Sequence, residues 1–138
     1  MAWEQNPYAI KVSLVSAADY YTTSKQFYFV TVTAPGTGST TPTATLVASA
    51  TAKPVGVLQN APKAGFEAEV TVSGITKVVA GGTIAVGDQI GSDGNGKAVT
   101  LTAGTDTTKY VVGTALSAGV SGDVITVAIS CPSAHRAA

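Results

Sequence analysis

Glycine and proline interrupt this chain at short intervals, and the residues between them favour strands. The 138 residues include 15 glycines and 6 prolines, and no stretch shows a sustained helical period. Valine and threonine are abundant, and β-branched residues suit a pleated backbone. We therefore expect a mainly β fold, namely a single-domain β-sandwich or small β-barrel of about eight to ten short strands with an extended N-terminal arm.

Alternation of apolar and polar residues locates the strands. In FEAEVTVS (66–73) every second residue is apolar, so one face of this strand is expected to meet water. The aromatic stretch QFYFVTVT (26–33) is a second clear strand, and Phe27, Phe29 and Phe66 are expected in the core. Further strands are predicted at 10–15, 45–52, 53–60, 75–80, 83–90, 97–102, 109–118 and 123–130.

Three parts of the chain differ in character. Residues 1–16 are predicted to form an N-terminal arm and the first strand. Residues 17–131 are predicted to form one β domain. Within it, APGTGSTTPTAT (34–45) has no apolar face to bury and is expected to be an exposed, flexible loop rich in Gly, Pro and Thr. Residues 132–138 are predicted to form a short, frayed tail.

A faint internal repeat relates the second and fourth quarters of the chain. At an offset of 57 residues, Val55-Gly56 matches Val112-Gly113, and Gly65 and Val70 match Gly122 and Val127. Each copy reads as a "VG" strand, a turn and an alternating strand. Two related hairpins would give this pattern, but so would chance in a chain so rich in valine and glycine.

Charge and hydropathy exclude several classes of protein. The formal net charge is zero and only 12% of residues are charged, whereas nucleic-acid binding usually needs a basic surface. No segment reaches the roughly 18 apolar residues of a membrane span, and the N-terminus does not resemble a secretory signal. A single cysteine allows no internal disulfide. A weakly charged surface is suited to being covered by neighbouring molecules.

The stretch GSDGNGKA (91–98) comes within one residue of a phosphate-binding loop. That loop needs Ser or Thr after its lysine and opens a helix. Here Ala98 follows the lysine, Asp93 would repel a phosphate, and a strand pattern comes next. Asp-Gly and Asn-Gly dipeptides favour tight hairpins. The stretch is therefore predicted to be a hairpin turn and not a nucleotide site.

Other candidates for chemistry are equally weak. Cys131 and His135 lie four residues apart with no third group to orient them. Glu67 and Glu69 share one face of a strand, where solvent or a nearby Lys63 or Lys77 would balance them. The oxygen-bearing residues Asp88, Asp93 and Asn95 lack the spacing of a calcium loop. The sequence predicts no enzyme, no metal and no cofactor.

Four aromatic residues lie outside the clear strands and are candidates for an interface with a partner molecule or another subunit: Trp3, Tyr8, Tyr20 and Tyr21. Aromatic side chains in irregular segments often anchor a partner, because they bury much area at little cost in entropy. Packing onto the protein's own body is an equally good explanation.

The layout of the strands and turns resembles the capsid cement, or head decoration, proteins of tailed bacteriophages. The resemblance rests on KPVGVLQN, FEAEVTVSG, GDQIGSDGNGKA and YVVGTAL, and it covers roughly residues 17–131. It implies a non-enzymatic β-rich protein, commonly a homotrimer, that is made in the host cytoplasm and is carried on the outer surface of the virion. There it binds the major capsid protein at capsomer junctions and stabilises the shell. The implied partners are thus capsid protein and self, and not nucleic acid, membrane or a small-molecule substrate.

A sugar-binding or adhesive β-sandwich module of a phage tail or fibre is the alternative. Such a module would group exposed aromatic rings with Asp or Asn side chains on one surface. Capsid decoration is the leading hypothesis, because the motifs of the resemblance lie in strands and turns and no catalytic set is present.

The N-terminal arm, rather than the strand core, is expected to dominate attachment to a capsid. Deleting residues 1–9 should leave the β-sheet circular dichroism unchanged and weaken binding to undecorated capsids. Binding equal to that of the full chain would contradict this expectation.

Overall fold

The computed structural model describes residues 9–138, and strands build the fold in this part of the chain. There are eleven strands, slightly more than expected, and one 3-10 turn at Cys131–Ser133. The predicted all-β fold is confirmed, and it takes the form of a barrel. The strands are β1 (Ile10–Ser16), β2 (Phe29–Thr33), β3 (Thr43–Leu46), β4 (Gly56–Leu58), β5 (Glu67–Val79), β6 (Gln89–Ser92), β7 (Ala98–Thr100), β8 (Tyr110–Val111), β9 (Gly113–Ala115), β10 (Val124–Ser130) and β11 (His135–Arg136).

The first five strands close into a barrel, which we call the first ring. β1 pairs in parallel with β3, and β3, β2, β4 and β5 follow as antiparallel neighbours. β5 then pairs antiparallel with β1 and completes the circle. Closure gives every one of these strands two neighbours, which removes the free edges that promote aggregation.

The second half of β5 belongs to a second ring. β5, β10, β9, β6 and β7 are successive antiparallel neighbours. A parallel bridge between Ala80 and Ala98 brings β7 back to the end of β5. Beside this bridge the N–H of Gly81 donates to the carbonyl of Ala98 (2.7 Å). β5 is therefore a wall of both rings.

The two rings repeat each other in strand order and in register. Matched backbone pairs, with the first ring given before the second, are Val57–Thr71 with Thr114–Ala128, Val30–Gly56 with Ile90–Gly113, Val15–Glu67 with Val79–Val124, and Ser16–Ala44 with Ala80–Ala98. The repeat suspected from the sequence is thus a structural one, and it covers whole rings rather than single hairpins.

The repeated Val-Gly dipeptide has a packing reason. A Cβ atom at Gly56 would overlap the carbonyl oxygen of Thr71, and a Cβ at Gly113 would overlap the carbonyl oxygen of Ala128. Both glycines therefore allow a strand to lie close to its neighbour at the same place in each ring.

Each ring is filled by its own apolar cluster. The first cluster consists of Leu14, Tyr20, Val30, Ala44, Leu58, Ala68 and Val70. A larger cluster fills the second ring and includes Ile84, Ile90, Ile125 and Val127. Phe29, which is fully buried, belongs to the second cluster although its strand lies in the first ring. The second-ring cluster therefore extends into the first ring.

Residues 93–97 of the GSDGNGKA stretch form the predicted hairpin turn between β6 and β7. The Asp93 carboxylate accepts the N–H groups of Asn95 (2.8 Å) and Lys97 (2.9 Å). At the tip, the carbonyl of Gly96 accepts the N–H of Phe29 (2.7 Å). The hairpin of the second ring is thereby hydrogen-bonded to β2 of the first.

Two sequence expectations about the elements are corrected. The strands expected at 66–73 and 75–80 are one continuous strand, β5, in which Gly74 (φ 122°) takes a backbone angle that other residues avoid. The loop expected at 34–45 ends earlier, because Thr43 to Thr45 already pair with β2. The flexibility of the remaining loop stays a prediction.

The C-terminal tail is held rather than frayed. β11 pairs with β8, and the N–H of Ala137 donates to the carbonyl of Lys109 (3.0 Å). Ala137 is buried with Leu101 and Val111 in a small third cluster. These contacts fix the tail on the second ring.

Replacing Gly96 with alanine should weaken the connection between the rings. Gly96 has φ +81°, and a Cβ there would lie 2.9 Å from both Leu46 Cδ1 and the carbonyl oxygen of Phe29. We expect Gly96→Ala to lower the free energy of unfolding by about 2–3 kcal/mol, from left-handed strain and overpacking together. Chemical denaturation measures this change.

Gly38 provides the matched control. It also has φ +81°, but a Cβ there would meet nothing within 4 Å. Gly38→Ala should therefore cost only the backbone strain, about 1 kcal/mol. Equal losses in the two variants would mean that the contact between Gly96 and the first ring contributes nothing.

Candidate functional site

The four residues predicted to form an interface do not lie together on one surface of the described structure. Trp3 and Tyr8 lie outside the described residues. Tyr20 is only 5% exposed and belongs to the core of the first ring. Its hydroxyl accepts the N–H of Leu46 (2.9 Å), and its own N–H donates to the carbonyl of Pro62 (2.9 Å). For Tyr20, packing onto the protein's own body is therefore the correct explanation.

Tyr21 points outwards from the same turn. Its side chain is 64% exposed, and the Lys63 ammonium lies 5.6 Å from the centre of its ring. Asp19 shapes the turn by accepting the N–H groups of Tyr21 and Thr22 (both 3.0 Å) and the Thr22 hydroxyl (2.7 Å). The hydrogen bonds from Thr22 hold the pKa of Asp19 below its usual value. The turn thus fixes Tyr21 on the surface.

Phe66 is exposed, so the prediction that it lies in the core is wrong. It is 66% exposed because it precedes β5 and closes a turn instead of entering the sheet. Its N–H donates to the carbonyl of Lys63 (3.1 Å), and Gly65 in the turn has φ +81°. The buried alternation begins only at Ala68.

Phe27 is partly buried and has an unusual backbone. Its φ angle is +67°, which a bulky residue rarely adopts. Two hydrogen bonds hold this conformation: its N–H donates to the carbonyl of Leu58 (2.7 Å), and its carbonyl accepts the N–H of Val79 (3.0 Å). The Lys77 ammonium lies 5.9 Å from the centre of its ring.

These side chains line two adjoining depressions of about 330 and 400 Å³. Lys63 and Phe66 line the smaller one, and Tyr21, Phe27 and Val124 line the larger one. Residues 61–63 run between the two depressions and contribute to both. We call the surface formed by these five side chains the aromatic face.

Another apolar depression is lined mainly by the first ring. It has a volume of about 400 Å³, and we call it the valine groove. Its lining consists of Val32, Lys53, Pro54, Val55, Val72, Cys131 and Pro132. Burial raises the pKa of the Cys131 thiol to about 12. The thiol is therefore protonated at neutral pH and is a poor nucleophile.

The other candidates for chemistry are occupied by structural contacts. Glu67 accepts the hydroxyl of Ser13 (2.7 Å), and Glu69 forms an ion pair with Lys11 (3.0 Å) instead of the expected Lys63 or Lys77. Within residues 9–138, no cluster of three or more His, Cys, Asp or Glu side chains is arranged to hold a metal ion. The same residues include no helix of the length and apolarity that a membrane crossing requires.

A family of known proteins matches most of the chain. The family is described as phage cement protein, and the match covers residues 14–131. The chain therefore belongs to the phage cement protein family, whose members are structural proteins of the phage head and not enzymes. The predicted family is thus confirmed.

A solved structure shares the fold. The chain is similar to the N-terminal base of the head fibre gp8.5 of bacteriophage phi29, with a TM-score of 0.66 and 18% sequence identity. The likeness covers 88% of this chain and 94% of that one. No curated protein matches the sequence.

Only part of the aromatic face could be predicted from the sequence. Tyr21 was predicted as an interface residue, and its exposure leaves that prediction open. Phe66 was missed because the alternation of apolar residues placed it in the core. Lys63 was missed because its position beside Tyr21 depends on the folded turn. The offset of 57 residues aligns Phe66 with Asp123, a turn position, and this was the one available signal.

Removing one hydroxyl should separate the roles of the two adjacent tyrosines. Tyr20→Phe leaves the N–H of Leu46 without its acceptor, so we expect a loss of about 1–2 kcal/mol in the free energy of unfolding. Tyr21→Phe, on an exposed side chain, should change it by less than about 0.5 kcal/mol. Equal effects in urea denaturation would contradict this assignment.

Proposed function

We propose that the protein binds the outer surface of a phage capsid at capsomer junctions and stabilises the shell. The observation that carries the proposal is membership of the phage cement family over residues 14–131. The barrel supports it, because two closed rings form a stable body on which a contact surface can be displayed. Binding at a junction tethers neighbouring capsomers, so their separation then costs the binding free energy as well.

The surface has the properties of one that is partly covered in its working state. Large apolar side chains that are more than half exposed occur on both rings and include Tyr21 and Phe66 in the first and Val86 and Val120 in the second. Net charge is zero, so long-range attraction contributes little and the shape and apolar area of the contact must supply the affinity.

The size of the molecule is compatible with such a contact. A standard protein interface buries about 800 Å² on each partner. That is about an eighth of the 6615 Å² of surface that the described residues present. One face can therefore bind the shell while other faces remain available for neighbouring copies.

We further propose that the protein acts as a homotrimer, as its family resemblance implies. A threefold assembly would match a threefold or quasi-threefold junction and would multiply a weak contact by avidity. Light scattering on the isolated protein measures the mass: three times the 13.7 kDa chain supports a preformed trimer. A monomer in solution would confine assembly to the capsid surface.

Electron cryo-microscopy of the virion tests the proposed function directly. Density for this chain is expected on the outside of the shell at capsomer junctions. Capsids that lack the protein should lose their DNA at a lower temperature than decorated ones, and adding the purified protein should restore the difference. An intact virion without external density for this chain would contradict the proposal.

The alternative of sugar binding has less support in the geometry. A sugar site needs polar side chains free to bond hydroxyl groups beside its aromatic rings. The amide of Asn60, next to Phe66, is occupied at both ends: it donates to the carbonyl of Glu67 (3.0 Å) and accepts the N–H of Glu69 (3.0 Å). Asp19 is likewise occupied by its own turn.

A further inference from the structure

The two rings allow one surface of the molecule to be compared with its own counterpart. They share strand order and register, so the paired strand residues of the first ring and the residues beside them have equivalents in the second. Where the fold alone dictates a residue, both rings should carry a residue that suits the local backbone. Where one ring carries a residue that does not suit the local backbone or turn, a role in binding rather than in stability is the natural explanation.

The first such difference is at Phe27. In the second ring the equivalent residue is Gly87, identified because Phe27 N–H donates to Leu58 and Gly87 N–H donates to Ala115, the matching strand residue. Both residues have positive φ angles, +67° and +89°. Glycine adopts this conformation freely, whereas phenylalanine is strained in it. The first ring therefore holds an aromatic residue where the backbone favours glycine. Its side chain packs partly against the second-ring cluster and partly lines the aromatic face.

The second difference is at Phe66, whose equivalent is Asp123. Both residues donate their N–H to the residue three positions earlier, Lys63 and Val120 respectively. In the second ring the Asp123 carboxylate also accepts the N–H of Val120 (2.9 Å) and so stabilises the turn. Phe66 makes no such bond and exposes its ring to water. The aromatic side chain thus replaces one that serves the turn.

Both differences fall on the aromatic face, next to Tyr21. Two aromatic rings are thus held at positions where the same fold elsewhere uses glycine and a turn-stabilising aspartate. Given the proposed function, on which this inference rests, we propose that the aromatic face is the part of the barrel that docks onto the shell, in addition to the contact expected of the N-terminal arm. Its partner would be a segment of the major capsid protein that carries apolar side chains flanked by carboxylates.

The hydrogen bonds and ion pairs of the charged groups around the aromatic face indicate why the partner is expected to carry carboxylates. Around the aromatic face, Asp19, Glu67 and Asp123 already accept hydrogen bonds from within the protein. Lys25 and Lys63, by contrast, lie over aromatic rings, and neither forms an ion pair with the described residues. Lys63 lines the face and acts on Asp19 only through space, so its ammonium lies beside apolar rings without an ion-pair partner among the described residues. A partner with carboxylates beside apolar side chains complements it.

Replacing Phe66 by aspartate, the residue that the second ring has at the equivalent position, tests the proposal. Phe66→Asp should leave the melting temperature unchanged or raise it, since it restores the residue that the second ring uses. Its affinity for undecorated capsids, measured by co-sedimentation with the full chain, should fall at least tenfold. Val86→Asp is the matched control: Val86 is 67% exposed, against 66% for Phe66, but lies in the second ring. It should bind like the wild type.

A charge series tests the chemistry of the partner. Lys63→Glu should lower capsid affinity at least tenfold, and Lys63→Arg should stay within about twofold of the wild type. Lys53→Glu, in the valine groove, should have no effect. The N-terminal arm is present in every variant, so a loss belongs to the substituted surface.

The outcomes separate this inference from the function on which it rests. If the wild type does not bind capsids, the proposed function fails and the inference fails with it. If the wild type binds and both Phe66→Asp and Lys63→Glu bind equally well, the docking surface lies elsewhere while the function stands.

A lower mass of Phe66→Asp in light scattering would assign the face to contact between copies. Glycan-array binding that is lost in Phe66→Asp would assign it to a sugar. Either result would overturn the inference.

Discussion

The pairing of β5 on both of its halves is the constraint on which the rest of the structure depends. The first half pairs with β1 and β4, and the second half pairs with β10. A strand of 13 residues is long for a small β protein, and its length is what allows two rings to share one wall. Gly74, near the middle, supplies the backbone angle that lets the strand pass from one ring to the next. The registers of both rings follow from this single strand.

Sequence reasoning predicted the parts of this fold that depend on local chemistry. The alternation of β1 and β10, the turn dipeptides of residues 93–96 and the absence of a helical period all lie in short windows, and all appear in the structure. Phe66 was misplaced because alternation indicates which residues share a face, but the point at which a strand enters the sheet depends on pairing with β1 and β4. The continuity of β5 was missed because a glycine between two strand patterns looks like a break. Pairing with neighbouring strands on both sides of Gly74 makes the strand continuous.

The candidate site was the least visible part in the sequence. Tyr20 and Tyr21 are neighbours in the chain, yet one is buried and the other is exposed. Their difference depends on the hydrogen bond from Leu46 to the Tyr20 hydroxyl, a contact 26 residues distant that no local pattern encodes. The contribution of Lys63 likewise depends on a turn that lies beside Tyr21 only in the folded protein. Comparison of the two rings supplies the information that was lacking, because it identifies where the fold and the surface require different residues.

The shared strand also affects how the molecule fails. Two barrels joined by a linker could unfold one at a time, and one could remain on the capsid while the other opened. Here the removal of β5 from either ring opens both, and Phe29 places part of the first ring inside the core of the second. The two rings are therefore expected to unfold together as one cooperative unit. A protein under mechanical load that unfolds in this way stays fully folded until the force reaches one threshold. It has no state with one ring open, in which the load would be transferred to neighbouring molecules.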